Sequence, residues 1–163
     1  MPERNRQILL KRRPNGLPVP ADFEIAEGPL PEPGEGEVLL RGIYLSLDPY
    51  MRGRISGVRS YARPTEIGDV IEGRVVGQVV RSRDAGFREG DYASGGYGWQ
   101  LYSAVPAGGL QKLDPAEAPI STALGVLGMP GMPSTPRAVE IGASVGSSRN
   151  KPLAGTALWV CQP

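Results

Sequence analysis

Glycine and proline decide what this chain can fold into. Twenty-three glycines and seventeen prolines are spread through 163 residues, and they cut the apolar stretches into short runs. Runs of that length suit strands of four to eight residues better than helices of ten or more. The best of them, "EVLLRGIYLSL" (37–47), alternates, is rich in β-branched and aromatic residues, and lies between Gly36 and Pro49. Further strands are expected over 3–13, 23–26, 70–83, just after the Gly90-Asp91 turn, and over 98–105. Glycines 73 and 77 inside a valine-rich run predict bulges or a tight corner. Short strands at this spacing predict a mainly β protein, a small coiled β-barrel.

Two segments depart from the pattern. Residues 52–67 are polar and irregular and read as a long loop. "LDPAEAPISTALGVLG" (113–128) has Asp114 as N-cap, Pro115 at the first helical position and Glu117 after it, which predicts a helix near residues 114–128.

Several function classes are excluded by composition. With no histidine and a single cysteine, Cys161, the chain has neither the ligands of a structural zinc nor a histidine base. A net charge of +1 gives no field toward nucleic acid, and the arginines of 4–13 lack interleaved aromatics, so no nucleic-acid partner is expected. No apolar run reaches the length of a membrane span, and the N-terminus lacks a signal-peptide pattern; the expectation is a soluble, cytoplasmic protein.

"SLDPYMRGR" (46–54) is the stretch with most chemistry. An acid, a proline, a phenol and two arginines follow directly on the best strand. From the residues alone, Asp48-Pro49 terminates the strand and Tyr50 packs its ring at a barrel mouth, or the same turn borders a binding site.

Five stretches occur together in order: "NRQILLKRRPNGLP", "IYLSLDPYMRGR", "VIEGRVVGQVV", "FREGDYASGGYGWQ" and "ALGVLGMPGM". The set resembles the zinc-free branch of the medium-chain dehydrogenase/reductase superfamily, the NADPH-dependent prostaglandin reductases and alkenal double-bond reductases. The resemblance implies a GroES-like N-terminal catalytic domain over 1–132. It also implies reduction of the double bond of α,β-unsaturated aldehydes or ketones by hydride transfer. Zinc-dependent members place metal ligands near the positions of Asp48 and Ile71, and this branch has none, so no metal is expected. By the same resemblance Tyr50 is the catalytic candidate, a hydroxyl that stabilises charge developing on the carbonyl oxygen. Asp48, Tyr50 and Arg52 are the substrate-binding candidates, with Arg52 bracing the turn. Met129, Pro130 and Gly131 are the cofactor-side candidates, for which a helix stop is the alternative reading. A homodimer is a further implication for the full-length family.

After Met132 the match breaks. "PSTPR" (133–137) replaces a helical lead-in, and "KPLAGTALWV" (151–160) resembles the approach to the first strand of a nucleotide-binding domain. "GASVGS" (142–147) lacks the strand before and the helix after that a phosphate loop needs. The expectations are therefore a truncated start of a Rossmann domain over 133–163, loosely ordered, with NADPH used by the family but not bound by this chain alone. "TALWVC" (156–161) is a potential strand with nothing after it to pair with. Two functions stand at this point: the substrate side of an enone reductase, or a non-enzymatic GroES-like module.

Overall fold

A computed structural model describes residues 4–57 and 63–128, together with the backbone of 158–160. The described chain is mainly antiparallel β. Strands β1 (Asn5–Leu10) and β2 (Phe23–Gly28) form a two-stranded sheet. Strands β3 (Glu37–Ser46), β4 (Arg74–Ser82), β5 (Tyr92–Gly96), β6 (Tyr102–Pro106) and β7 (Gln111–Leu113) form a larger one in the order β6-β3-β4-β5-β7. β3 is central because its sequence suits two-sided burial: Val38, Leu39 and Leu40 are all buried. The main core packs Val38 and Leu40 against Val75, Val79, Ala93 and Tyr97.

The two sheets are laced together through β1. Its Ile8 amide donates to Trp99 O at 2.9 Å, its Leu10 amide to Asp69 O at 3.0 Å, and the Ile71 amide returns a bond to Ile8 O at 3.2 Å. Leu10 thereby meets Ile71 and Ile55 in a second, smaller apolar cluster, with Phe23 and Trp99 at its edge. This cluster is the floor on which the candidate site stands.

Gly77 shows why the expected irregularity is needed. A Cβ there would lie 2.6 Å from Arg41 O on the neighbouring strand. The β3–β4 register shifts between Gly42 and Tyr44, next to the Gly42–Gly77 pair. A side chain at 77 would hold the strands apart.

Several expectations are corrected. The supposed loop from 52 begins inside a helix, α1 (Tyr50–Ser56), whose Met51 and Ile55 are buried. Pro49 opens it with helical backbone (φ −56°, ψ −32°), and residues four apart share one helix face. Two arginines and a glycine disguised that apolar pair. The helix expected near 114–128 is instead a turn at 114–117 followed by a short 3-10 helix, Ile120–Ala123. Asp114 does cap, its Oδ1 accepting from the Ala116 amide at 2.8 Å. Pro119 then lacks an amide to continue the ladder and disfavours helical backbone at Ala118. Finally, the strand over 156–161 has a partner. β8 (Leu158–Val160) pairs antiparallel with Tyr44–Ser46, because β6 covers only Glu37–Arg41 and leaves that end of β3 unpaired. Strand 3–13 is shorter than expected, and before β6 begins at Tyr102 the chain bends at Trp99 and Leu101 around a single antiparallel bridge from Gln100 to Gln7.

Candidate functional site

Ser46 ends β3, and the chain turns through Leu47, Asp48 and Pro49 into α1. The turn is held from within. The Met51 amide donates to Asp48 O and the Arg52 amide to Pro49 O, both at 3.1 Å. Ser46 Oγ donates to Asp48 Oδ1 at 2.9 Å. Both side chains are buried, and Asp48 Oδ2 is a buried acceptor with no partner among the described residues.

This turn is one wall of a cavity of about 440 Å³, a size suited to a small organic ligand. The rest of the lining is almost wholly apolar, with Phe23, Met51, Ile55, Ile71 and Trp99 forming the floor and the far wall. Phe23 and Trp99 stack at 6.1 Å between ring centroids. Trp99 is aimed by Gly98, whose φ of +81° and whose approach to Ile71 O, 2.8 Å from the place of a Cβ, admit glycine alone. The Trp99 amide then bonds Ile71 O at 2.8 Å. Its Nε1 is a buried donor without a partner among the described residues.

The sequence candidates separate. Asp48 and Arg52 share the cavity wall. Arg52 braces α1 rather than the Asp48 turn itself, donating to Gly16 O at 2.5 Å and to Ser56 Oγ. Tyr50 is not part of that wall; its ring lies under the Arg54 guanidinium at 5.2 Å, and Arg54 is paired with Glu72. Met129, Pro130 and Gly131 lie outside the described residues. Ile71, marked only as a position where zinc-dependent proteins carry a ligand, faces the same cavity as Asp48. Trp99, Phe23 and Met51 went unnoticed in the sequence. The one available signal was a tryptophan directly after a glycine in "GYGWQ".

Tyr97, a buried phenol, is committed to the core. Burial pushes the Tyr97 hydroxyl well above its ordinary pKa, and it donates to Ala93 O at 3.3 Å.

Neither a metal nor a dinucleotide fits what is described. Among the described residues no group of three or more His, Cys, Asp or Glu could hold a metal ion. The cavity lining holds one guanidinium, Arg52, and one carboxyl, Asp48, in otherwise apolar surroundings, which is unsuited to a diphosphate. α1 has only seven residues. Among the described residues no helix is long and apolar enough to cross a membrane.

The site is an apolar cleft at the end of a strand in a β-domain, and comparison supplies the family. Residues 6–113 match the family model described as the N-terminal domain of oxidoreductase. The chain is 46% identical over 140 residues to the NADPH-dependent curcumin reductase of Escherichia coli, covering 86% of this chain and 41% of that protein. It is 38% identical over 134 residues to the NADP(+)-dependent 2-alkenal reductase of Nicotiana tabacum, covering 78% and 39%. The crystal structure of CurA from Vibrio vulnificus superposes with a TM-score of 0.72 at 44% identity, covering 78% of this chain and 38% of that one. CurA has also been solved in complex with NADPH, and that structure matches at 0.69 and 44%, covering 77% and 37%. The chain thus belongs to the zinc-free, NADPH-dependent branch of the medium-chain dehydrogenase/reductase superfamily, as its GroES-like N-terminal domain. It spans about two fifths of the length of the curated relatives it matches.

Proposed function

We propose that this chain forms the substrate side of an NADP-dependent reductase acting on the double bond of α,β-unsaturated aldehydes or ketones. One observation carries the reading: an apolar cavity built on the Asp48–Arg52 turn, in a domain whose relatives are named for curcumin and 2-alkenal reduction. The apolar floor of Met51, Ile55, Ile71 and Trp99 would take up the hydrocarbon part of such a substrate and exclude water from it. Hydride addition to the β-carbon of an enone moves charge onto the carbonyl oxygen, and a positioned neutral donor lowers the cost of that charge. Tyr50, at the start of α1 beside the cavity wall rather than in it, with its ring under the Arg54 guanidinium, is the residue that the family resemblance offers for that task. No step is assigned to Met129, Pro130 or Gly131.

The test is a chimera in which this chain replaces the matching N-terminal portion of the Escherichia coli relative. The chimera is expected to oxidise NADPH when given an enone and to leave the corresponding saturated ketone untouched. A folded chimera that binds NADPH yet reduces no enone would refute the proposal.

A further inference from the structure

One edge of the larger sheet is filled from far along the chain. β4 follows β3 as far as Leu45, but on the opposite side β6 pairs only with Glu37–Arg41. The Gly42 amide extends that contact by one bond, donating to Leu101 O at 2.7 Å. Beyond it the edge is met by β8, with Tyr44 opposite Val160, Leu45 opposite Trp159 and Ser46 opposite Leu158. β8 in turn pairs with no other strand among the described residues. A strand held by three residue pairs on one neighbour is readily released, and the bare edge it leaves invites another strand.

We propose that the Tyr44–Ser46 edge is a strand-acceptor site that takes Leu158–Val160 from a second copy of this chain, giving a reciprocal strand-exchanged dimer. Donor and acceptor lie on one chain, so the same three pairs form whichever copy supplies β8. Exchanging an identical element between copies is a low-cost route to a dimer, because it needs no new contact. Residues 129–157 join Gly128 to β8, a contour of up to about 90 Å at extended spacing, so length does not confine β8 to its own β3. In dilute solution each copy fills its own edge. Tethering gives that strand an effective concentration on the order of a millimolar or less, and exchange grows as the protein approaches it. The edge ends at Ser46, whose Oγ bonds Asp48. Each copy's strand therefore abuts the turn that lines the other copy's cavity.

Sedimentation of the 163-residue chain tests this, with the protein kept reduced so that Cys161 forms no disulfide. Raising the concentration from about 10 μM to about 1 mM, a range that brackets the effective concentration of a tethered segment, is expected to convert monomer into dimer. Trp159→Pro, which a paired strand does not tolerate, should leave the chain monomeric throughout. A synthetic peptide of residues 155–163 should bind Trp159→Pro saturably, shifting the amides of Tyr44–Ser46. It should bind the dilute parent about tenfold or more weakly, because a tethered strand already fills the edge. Excess peptide should also dissolve the parent dimer, a readout that needs no variant to fold. A parent that stays monomeric at every concentration overturns the exchange. A dimer that survives Trp159→Pro or excess peptide places the contact elsewhere and overturns it too, as does equal binding of the peptide to both chains.

Discussion

Ser46 and Asp48 are joined by a hydrogen bond of 2.9 Å between two buried side chains, across Leu47, the first residue of the turn from β3 into α1. One short contact therefore ties the end of the strand to the turn that follows it. Ser46→Ala removes the donor and leaves a second buried oxygen unsatisfied, which costs about 1–3 kcal/mol. The expected result is a lower denaturation midpoint with an unchanged denaturant slope. A variant as stable as the parent would show that the bond does not hold the turn.

Tyr50→Phe separates a chemical role from a packing one. The ring and its contact with Arg54 survive the change, and only the hydroxyl is lost. In the chimera, kcat should fall about a hundredfold, in the range of a lost catalytic donor. An unchanged kcat would reduce Tyr50 to a wall of the barrel mouth.

Gly77→Ala should destabilise the domain by about 1–3 kcal/mol, the usual range for overpacking. The contact is with backbone: Arg41 O lies 2.6 Å from the place of the new Cβ, so no side chain can rotate away. Chemical denaturation of the variant checks the value.

Asp22 gives a pH signature. The Val19 amide, first, and the Arg12 guanidinium hold its carboxyl below the ordinary carboxylate range. A group with a lowered folded pKa contributes stability above its unfolded value, and that contribution is lost as pH falls through the folded value. The stability gap between the parent and Asp22→Asn should thus be full at neutral pH. It should close as pH drops below about 4, the unperturbed aspartate range. Thermal unfolding across that window measures it, and a gap that widens toward acid would contradict the assignment.

How much of this was legible in the sequence follows from what each signal depends on. β3 could be placed from its alternation between Gly36 and Pro49, and β4 from its valine-rich run, since those reflect local backbone preference. The motif run through Asp48 and Arg52 drew attention to a turn that lines the cavity. α1 was missed because its only helical signal, Met51 and Ile55, is two residues long and surrounded by charge. The helix over 114–128 was overcalled because a good cap says nothing about continuation past Pro119. The partner of β8 was not visible in the sequence because strand pairing is non-local: the free end of β3 that receives it lies more than a hundred residues earlier. Trp99 enters the cavity through the lacing of β1 to residues 98–101, which no local pattern encodes.

The central claim is that ligand lodges between the Asp48 turn and Trp99. Amide and indole NMR of the isotopically labelled chain, titrated with an α,β-unsaturated ketone, tests it most directly. The account predicts saturable shifts of the Trp99 indole N–H and of the amides of Leu47, Met51, Ile55 and Ile71, with β5 and β7 unmoved. An indole signal that stays in place while the ketone perturbs another face, or nothing at all, would contradict it.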